Sequence, residues 1–220
     1  MAARPFRYQR NFPMGAVLAS LEELVVTIAD VEGVGTERVR AIARSIREAR
    51  LIETRGRGLS AANMSDRDAA NLLIAVNVAD TARTAPRIVE RYRGLRADSR
   101  ARNARFGPEF ETLILAARTG TMAAVAAHLV RLAPGRSRLA SRRYDVEDYE
   151  ILIKFHKPIP KVSFYIAAPR GETPDLIEFF ERAENSSAIG SDQIVEVAIT
   201  ERTILAVGEL LRGNGQQRAR

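Results

Sequence analysis

The side chains that most often do chemistry in proteins are scarce in this 220-residue sequence. It has two histidines, His128 and His156, and no cysteine. The histidines stand far apart and neither has a second ligand at a metal-binding spacing, so we predict no metal site. We expect His128 to pack within an alanine-rich helix and His156 to lie at a sheet edge guarded by lysines. The acidic run at 145–150 is expected to be a solvated face rather than a cation site.

Short motifs that bind phosphate or carry a nucleophile are also missing from the sequence. It has no Walker A loop, no nucleophile elbow and no HExxH. The pair Gly56 and Gly58 lacks the third glycine and the βαβ frame of a dinucleotide fingerprint. We therefore predict a protein that is not an enzyme, with no catalytic residues and no cofactor.

The basic charge is distributed unevenly along the chain. The net charge is +7, with +7 over residues 1–105, +4 over 106–143 and −4 over 144–220. A basic part joined to an acidic part favours a nucleic-acid-facing segment beside a segment with another role. Only three of the basic residues are lysines. Because a GC-rich coding bias also enriches arginine, the charge alone does not decide the partner.

Two helical patterns meet at a tight turn before residue 51. The first covers 16–31, where Ser20 is a candidate N-cap. Gly33 is expected to end this helix, because glycine readily adopts the left-handed conformation of a helix C-cap. The second begins at Thr36, another N-cap candidate, and runs to about Arg50. Its predicted apolar face consists of Val39, Ile42, Ala43, Ile46 and Ala49.

A segment typical of a β-hairpin wing follows the second helix. Leu51 and Ile52 predict a short strand, and Leu59 is expected to begin the return strand. Between them, Arg55 and Arg57 alternate with glycines in a predicted turn.

The turn between the two helices carries a resemblance to a known family. Helix-turn-helix proteins commonly place a small residue before the turn glycine and a β-branched core residue after it, as Ala29, Gly33 and Val39 do here. Together with the hairpin, residues 16–64 resemble winged helix-turn-helix DNA-binding proteins of the bacterial or prophage regulator type. The resemblance implies double-stranded DNA as the partner.

The second helix would then lie in the major groove. Arg38 and Arg40 are the best candidates for bidentate hydrogen bonds to guanine. We expect Arg44 and Arg47 to contact phosphate, and Thr36 to donate to phosphate at the helix N-terminus. The alternative is an ordinary solvated face of an arginine-rich helix.

The wing would add contacts to the flanking DNA. A glycine-flexible loop lets Arg55 and Arg57 reach the minor groove or the backbone. A plain basic surface hairpin is the alternative.

Further helices are predicted before and after the middle of the chain. Ser65 and Asp68 resemble a capping box for a helix at 66–79, which is apolar on all sides and therefore buried. A basic helix follows at 85–96 with Pro86 in its first turn. Residues 108–132 predict one helix or two, with a possible break at 119–121.

From residue 144 the spacing of apolar residues changes from a helical pattern to the alternation that is typical of strands. The alternation predicts a hairpin from 149 to 166, a helix at 174–184, a third strand at 193–200 and a final helix at 201–211 capped by Thr200. The predicted fold class is α+β: an N-terminal winged helix-turn-helix with additional helices, and a C-terminal antiparallel sheet packed with two helices in the order β-β-α-β-α.

The predicted organisation has two domains. They are separated by a polar, arginine-rich linker and flanked by irregular ends. The predicted segments are a basic arm at 1–15, a winged helix-turn-helix domain with its following helices at 16–96, a linker at 97–107, an α+β domain at 108–212 and a frayed tail at 213–220.

These observations predict a sequence-specific DNA-binding protein, a cytoplasmic transcriptional regulator acting as a homodimer. A small-molecule or protein effector at the C-terminal domain is compatible with this function. One alternative is a DNA-packaging or structural component similar to a phage small terminase subunit. Another is a protein–protein interaction module that binds no DNA. The sequence has no run of about 18 apolar residues, so no membrane association is expected.

Overall fold

The computed structural model describes residues 19–53, 64–97, 108–132, 150–167, 175–180 and 194–212. Within these residues the chain forms seven helices and a five-stranded sheet, so the predicted α+β class is confirmed. The helices are α1 (Leu21–Glu32), α2 (Thr36–Glu48), α3 (Asp66–Val78), α4 (Ala85–Arg93), α5 (Pro108–Thr119), α6 (Met122–Leu132) and α7 (Glu201–Leu211). The strands are β1 (Arg96–Ala97), β2 (Glu150–Lys157), β3 (Lys161–Ala167), β4 (Asp175–Phe180) and β5 (Val195–Thr200). Their spatial order is β1-β4-β3-β2-β5, and every neighbouring pair is antiparallel.

Helix α1 is held at both ends by short-range contacts. Ser20 Oγ accepts the Glu23 N–H at 3.2 Å, and the Glu23 carboxylate accepts the Ser20 N–H at 2.8 Å, which completes a capping box. Gly33 follows the helix with a φ of 65°, in the left-handed region. The predicted N-cap at Ser20 and the predicted stop at Gly33 are both confirmed.

Helix α2 packs on α1 through the residues that its periodicity predicts. The buried residues are Val39, Ile42, Ala43 and Ile46. Its ends differ from the prediction, because Gly35 is the N-cap and Thr36 is already helical. The helix ends at Glu48, where Ala49 becomes the C-cap and is exposed, so its predicted place on the apolar face is wrong.

The predicted strand at Leu51 and Ile52 is wrong. These residues form bends, and both side chains are buried in the helical core. The Leu51 N–H donates to Ile46 O at 2.9 Å, and Leu51 O accepts a 2.7 Å hydrogen bond from Asn71 Nδ2. The backbone groups of Leu51 are therefore satisfied by helices instead of a strand partner. The predicted wing at 55–59 lies outside the described residues.

Helix α3 is the most buried element of the described structure. Every residue from Asp68 to Val78 is buried, as its apolar composition predicts. Ser65 and Asp68 form the expected capping box, in which Asp68 Oδ2 also accepts the Ser65 hydroxyl at 2.6 Å. The helix contacts α2, α4, α6 and α7 and the strands β2 and β5.

Helix α4 ends three residues before the predicted boundary. Arg96 belongs to the short strand β1, which pairs with β4 at Phe180. Ala97, which the prediction placed in the linker, pairs with Phe179. The rest of the predicted linker lies outside the described residues. Helices from both sides of it pack together, α3 on α6 and α1 on α7, and their apolar residues form one contiguous core.

The predicted break in the segment 108–132 is confirmed, because α5 and α6 are separate helices. Gly120 stands between them, and its N–H donates to Ala116 O at 2.7 Å. A Cβ at Gly120 would lie 2.6 Å from that oxygen, closer than a side chain can approach. Glycine is therefore needed for the chain to turn at this point.

The predicted hairpin of β2 and β3 is confirmed. Ile151 pairs with Ile166, Ile153 with Phe164 and Phe155 with Val162. These residues are buried against the helices, while the residues between them form the opposite face of the sheet.

The predicted helix at 174–184 is wrong, because its described residues form strand β4. Phe179 pairs with Val162 in the register and lies edge-on to Phe164, with ring centroids 5.4 Å apart. A short apolar run rich in aromatic residues is compatible with a helix or with a strand. Here the segment forms a strand because it pairs with the open edge of β3. The order of the described C-terminal elements is therefore β-β-β-β-α instead of β-β-α-β-α. The third predicted strand is β5, which pairs with β2, and the final helix begins after the predicted N-cap Thr200.

Gly33→Ala is expected to lower the free energy of unfolding by roughly 1–2 kcal/mol, because an L side chain is strained at a positive φ. A Cβ there would meet no atom within 4 Å, so the loss isolates backbone strain. Urea unfolding measures it. The matched control is Gly35→Ser, at a φ of −60°, which adds the side-chain cap that α2 lacks and should leave stability unchanged or raised. An equal loss of unfolding free energy in both variants would show that the effect at Gly33 is not backbone strain.

Candidate nucleic-acid interface and an adjoining polar pocket

The outer face of α2 is the first candidate site. Because the opposite face of the helix is sealed against the core, the polar residues are left on the outside. Five arginines and two glutamates occupy residues 36–50, so this surface is basic. Of the seven residues that the sequence predicts as DNA contacts, Thr36, Arg38, Arg40, Arg44 and Arg47 lie on α2, and Arg55 and Arg57 lie outside the described residues.

The outward arginines differ in what they bind. Arg40 forms ion pairs with Glu22 of α1 and with Glu37. Arg44 pairs with Glu48 one helical turn away, at 2.9 Å, and its side chain is 74% exposed. Arg47 is exposed and makes no ion pair or side-chain hydrogen bond within the described part of the chain. Arg47 is therefore the most available cation on the helix.

The ion pair between Arg40 and Glu22 favours the charged forms of both groups. The hydrogen bond from Arg40 lowers the pKa of Glu22, and the two glutamates raise the pKa of Arg40. Exposed pairs of this kind contribute about 0–1 kcal/mol each. An incoming phosphate can therefore replace a glutamate partner at little cost.

Arg38 points away from this outer surface. Its Nη2 donates to Val76 O at 3.3 Å and to Ala79 O at 3.0 Å, where α3 ends. The positive guanidinium satisfies carbonyl groups that have no partner inside the helix. Arg38 therefore links α2 to α3, although the sequence places it among the base-reading residues.

A second candidate site is a pocket of about 320 Å³ next to Arg38. It lies between the turn after α1, the end of α3, strand β5 and the start of α7. Apolar and polar residues contribute equally to its lining, and the polar ones are Glu32, Arg38, Asn77, Lys157, Thr200 and Thr203. Its volume is at the lower end of the range for small-molecule sites.

Glu32 is the unusual group of this pocket. Burial raises the pKa of its carboxyl group to about 7, although a hydrogen bond from Asn77 and the charge of Arg38 oppose that rise. Asn77 Nδ2 lies 3.1 Å from Glu32 Oε1 and also donates to Leu73 O at 2.9 Å. A carboxyl group that titrates near neutral pH inside a pocket marks a candidate functional group.

The sequence contains two signals for this pocket that the predictions missed. Glu32 occupies the last turn of α1, where the helix dipole disfavours a carboxylate. Asn77 interrupts an otherwise apolar helix, and a buried amide needs hydrogen-bond partners. Neither signal identifies the other residue, because 45 positions separate them.

The outward face of the sheet carries a third polar cluster. Ser163 Oγ lies 3.4 Å from His156 Nε2, and His156 Nδ1 lies 3.7 Å from Glu196 Oε2. The order resembles a nucleophile, a base and an orienting carboxylate, but Ser163 has no solvent exposure, so a substrate cannot reach its oxygen. Glu196 is moreover ion-paired with Lys154 at 2.8 Å. This cluster is therefore a set of cross-strand contacts.

His156 itself differs from the prediction. It lies on β2 between β3 and β5, not at a sheet edge. Burial is the main cause that lowers its pKa.

No group of three or more potential metal ligands occurs among the described residues. The helices of the same residues include none with the length and apolarity to cross a membrane. Comparison with protein-family models, curated proteins and solved structures gives no match for this chain.

Glu32→Gln is expected to stabilise the protein at pH 8 but not near pH 4.5. The pKa of Glu32 is raised from 4.5 to about 7 on folding, so its contribution to stability is present below pH 4.5 and is lost as the pH rises through 7. The neutral amide avoids that loss, which is on the order of 3 kcal/mol, and can still accept from Asn77. Urea unfolding at both pH values measures the difference.

Glu22→Gln is the matched control on the same helix. Because Arg40 lowers the pKa of Glu22, its contribution is present above pH 4.5 and is lost as the pH falls. This variant should therefore be less stable than the parent at pH 8. A Glu32→Gln variant that follows the Glu22→Gln pattern would show that Glu32 is not an unfavourably buried carboxylate.

Proposed function

We propose that this protein binds double-stranded DNA through the outer face of α2 and acts as a transcriptional regulator. The observation that carries the proposal is the pair of helices joined at Gly33, with the inner face of α2 packed against the core and Arg40, Arg44 and Arg47 on its outer face. A helix exposed in this way can enter the major groove, which is wide enough to admit it. Thr36 at its first turn would donate to a phosphate.

The proposal assigns different weights to the arginines. Arg44 and Arg47 are exposed on the outer face and would contact phosphate directly. Arg40 would exchange its glutamate partners for DNA. Arg38 would hold the helix in place from behind, and Arg55 and Arg57 would add contacts from the predicted wing.

Homodimerisation completes the proposal. Two copies of α2 related by a two-fold axis would meet half-sites about one DNA turn apart. The C-terminal sheet then has a role apart from DNA, in agreement with its acidic sequence. A cytoplasmic location belongs to the same proposal.

Arg44→Ala/Arg47→Ala is expected to weaken binding to a duplex at least tenfold in about 0.1 M salt. Each lost phosphate contact removes about one unit from the slope of log affinity against log salt, so the slope should fall by about two. Fluorescence anisotropy with labelled duplexes enriched from a random pool measures both quantities.

The charge-matched control is Arg118→Ala/Arg202→Ala, two exposed arginines on α5 and α7. It should leave affinity and salt slope near the parent values. Equal losses in the two double variants would show that α2 is not the DNA-binding surface. A parent protein that binds no duplex at low salt would instead support the interaction-module alternative, and a ring of about eight subunits by native mass would support the packaging alternative.

A further inference from the structure

The pocket beside Arg38 contains two opposite charges that do not pair with each other. Glu32 and Arg38 both line it, yet within the described residues the side-chain hydrogen bonds of Glu32 come from Asn77, and Arg38 is held by the carbonyl groups of α3. Glu32 is partly buried and Arg38 is exposed, so a ligand can reach both charged groups. The unpaired arrangement leaves room for a ligand that carries both complementary charges.

Arg38 is fixed in a way that leaves donors free. Only its Nη2 atom is used, in the hydrogen bonds to Val76 O and Ala79 O. Its Nε and Nη1 groups make no hydrogen bond within the described part of the chain. A guanidinium group with a fixed position and free N–H groups is suited to a carboxylate.

Thr203 provides an independent observation at the same pocket. It lies in the first turn of α7, is only 4% exposed and lines the pocket. Its hydroxyl group makes no hydrogen bond to any described residue. Asn77, 6% exposed, likewise has a carbonyl Oδ1 that accepts none of the described hydrogen bonds. Neither oxygen belongs to the fully buried polar atoms that lack a partner among the described residues, so both remain accessible to a ligand that enters the pocket.

The pocket walls and size restrict the partner further. The apolar part of the walls includes Val31, Val34, Val76, Val197 and Ile199. The volume of about 320 Å³ is at the lower end for ligand sites, which favours a molecule of a few heavy atoms over a nucleotide. A polyanion would also be repelled by the carboxylate of Glu32.

We propose that this pocket binds an α-amino acid with an aliphatic side chain. Its carboxylate would accept from Arg38, its ammonium group would donate to Glu32 and to Asn77 Oδ1, and its side chain would pack on the valines. Thr203 would complete the hydrogen bonds. Ligand binding at this site is independent of the DNA-binding function proposed above.

Calorimetric titration of the full chain with L-leucine, L-isoleucine, L-valine and L-methionine tests the proposal. At least one of them should bind with a Kd below about 1 mM. N-acetyl-L-leucine lacks the ammonium group and 3-methylbutylamine lacks the carboxylate, so each should bind at least tenfold more weakly than L-leucine. Absence of binding by all four amino acids at about 10 mM, or equal binding of the acetylated compound, would overturn the proposal.

Two variants test the assigned residues. Glu32→Gln should weaken binding at least tenfold, because the ammonium group loses its counter-charge. Thr203→Val keeps the shape and should weaken binding by about threefold to tenfold without loss of stability, since it removes a hydroxyl group that has no protein partner. The matched control is Asp30→Asn, on the exposed side of α1, which should bind as the parent does. Parent-like affinity in Glu32→Gln would overturn the assignment.

The pH dependence separates an amino acid from a simple organic acid. Binding of an ammonium group requires ionised Glu32, whose pKa is about 7, so affinity should fall roughly eightfold from pH 7.5 to pH 6. The other charges facing the pocket are Arg38 and Lys157, the latter paired with Asp80, and β5 and α7 contribute only the hydroxyl groups of threonines. Glu32→Gln should abolish the dependence. An affinity that rises on acidification would show that the ligand is an anion alone.

Discussion

The burial of α3 on all sides is the constraint on which the described structure depends. Burial of a side chain such as Leu72 or Ile74 stabilises the fold by roughly 1.5–3 kcal/mol, and nearly every side chain of this helix is buried. A helix in that position has no water to satisfy its polar groups. The surrounding elements must therefore supply partners for Asp68, Asn71 and Asn77.

The partners that lie outside α3 and its N-cap belong to α1 and to the segment that follows α2. Asp68 Oδ1 accepts the Glu53 N–H at 3.0 Å, Asn71 donates to Leu51 O, and Asn77 donates to Glu32. Arg38 then covers the carbonyl groups at the end of α3. The orientation of α1 and α2 is thus set by the polar groups of α3 as well as by apolar packing.

The sequence predicts those parts of the fold that depend on neighbours in the chain. The N-cap at Ser20, the capping box at Ser65, the left-handed stop at Gly33 and the β2–β3 hairpin are local and were predicted correctly. The prediction was wrong where a residue distant in the chain determines the local structure. β4 is a strand because it pairs with the open edge of β3. Leu51 is not in a strand, because its carbonyl group accepts a hydrogen bond from Asn71, 20 residues away. The pocket could not be predicted for the same reason, since Glu32 and Thr203 come from opposite ends of the chain.

Arg38 shows why a list of arginines does not define an interface. The spacing on α2 correctly separates a buried face from a polar face, but it does not distinguish a guanidinium group in solvent from one that reaches a neighbouring helix. Arg38 reaches α3 because the carbonyl groups of Val76 and Ala79 lie within range and lack helical partners. The same residue then borders the pocket, while Arg44 and Arg47 remain outside. Because Arg38 lines the pocket and belongs to the helix that carries the proposed DNA contacts, the two proposed sites share one structural element.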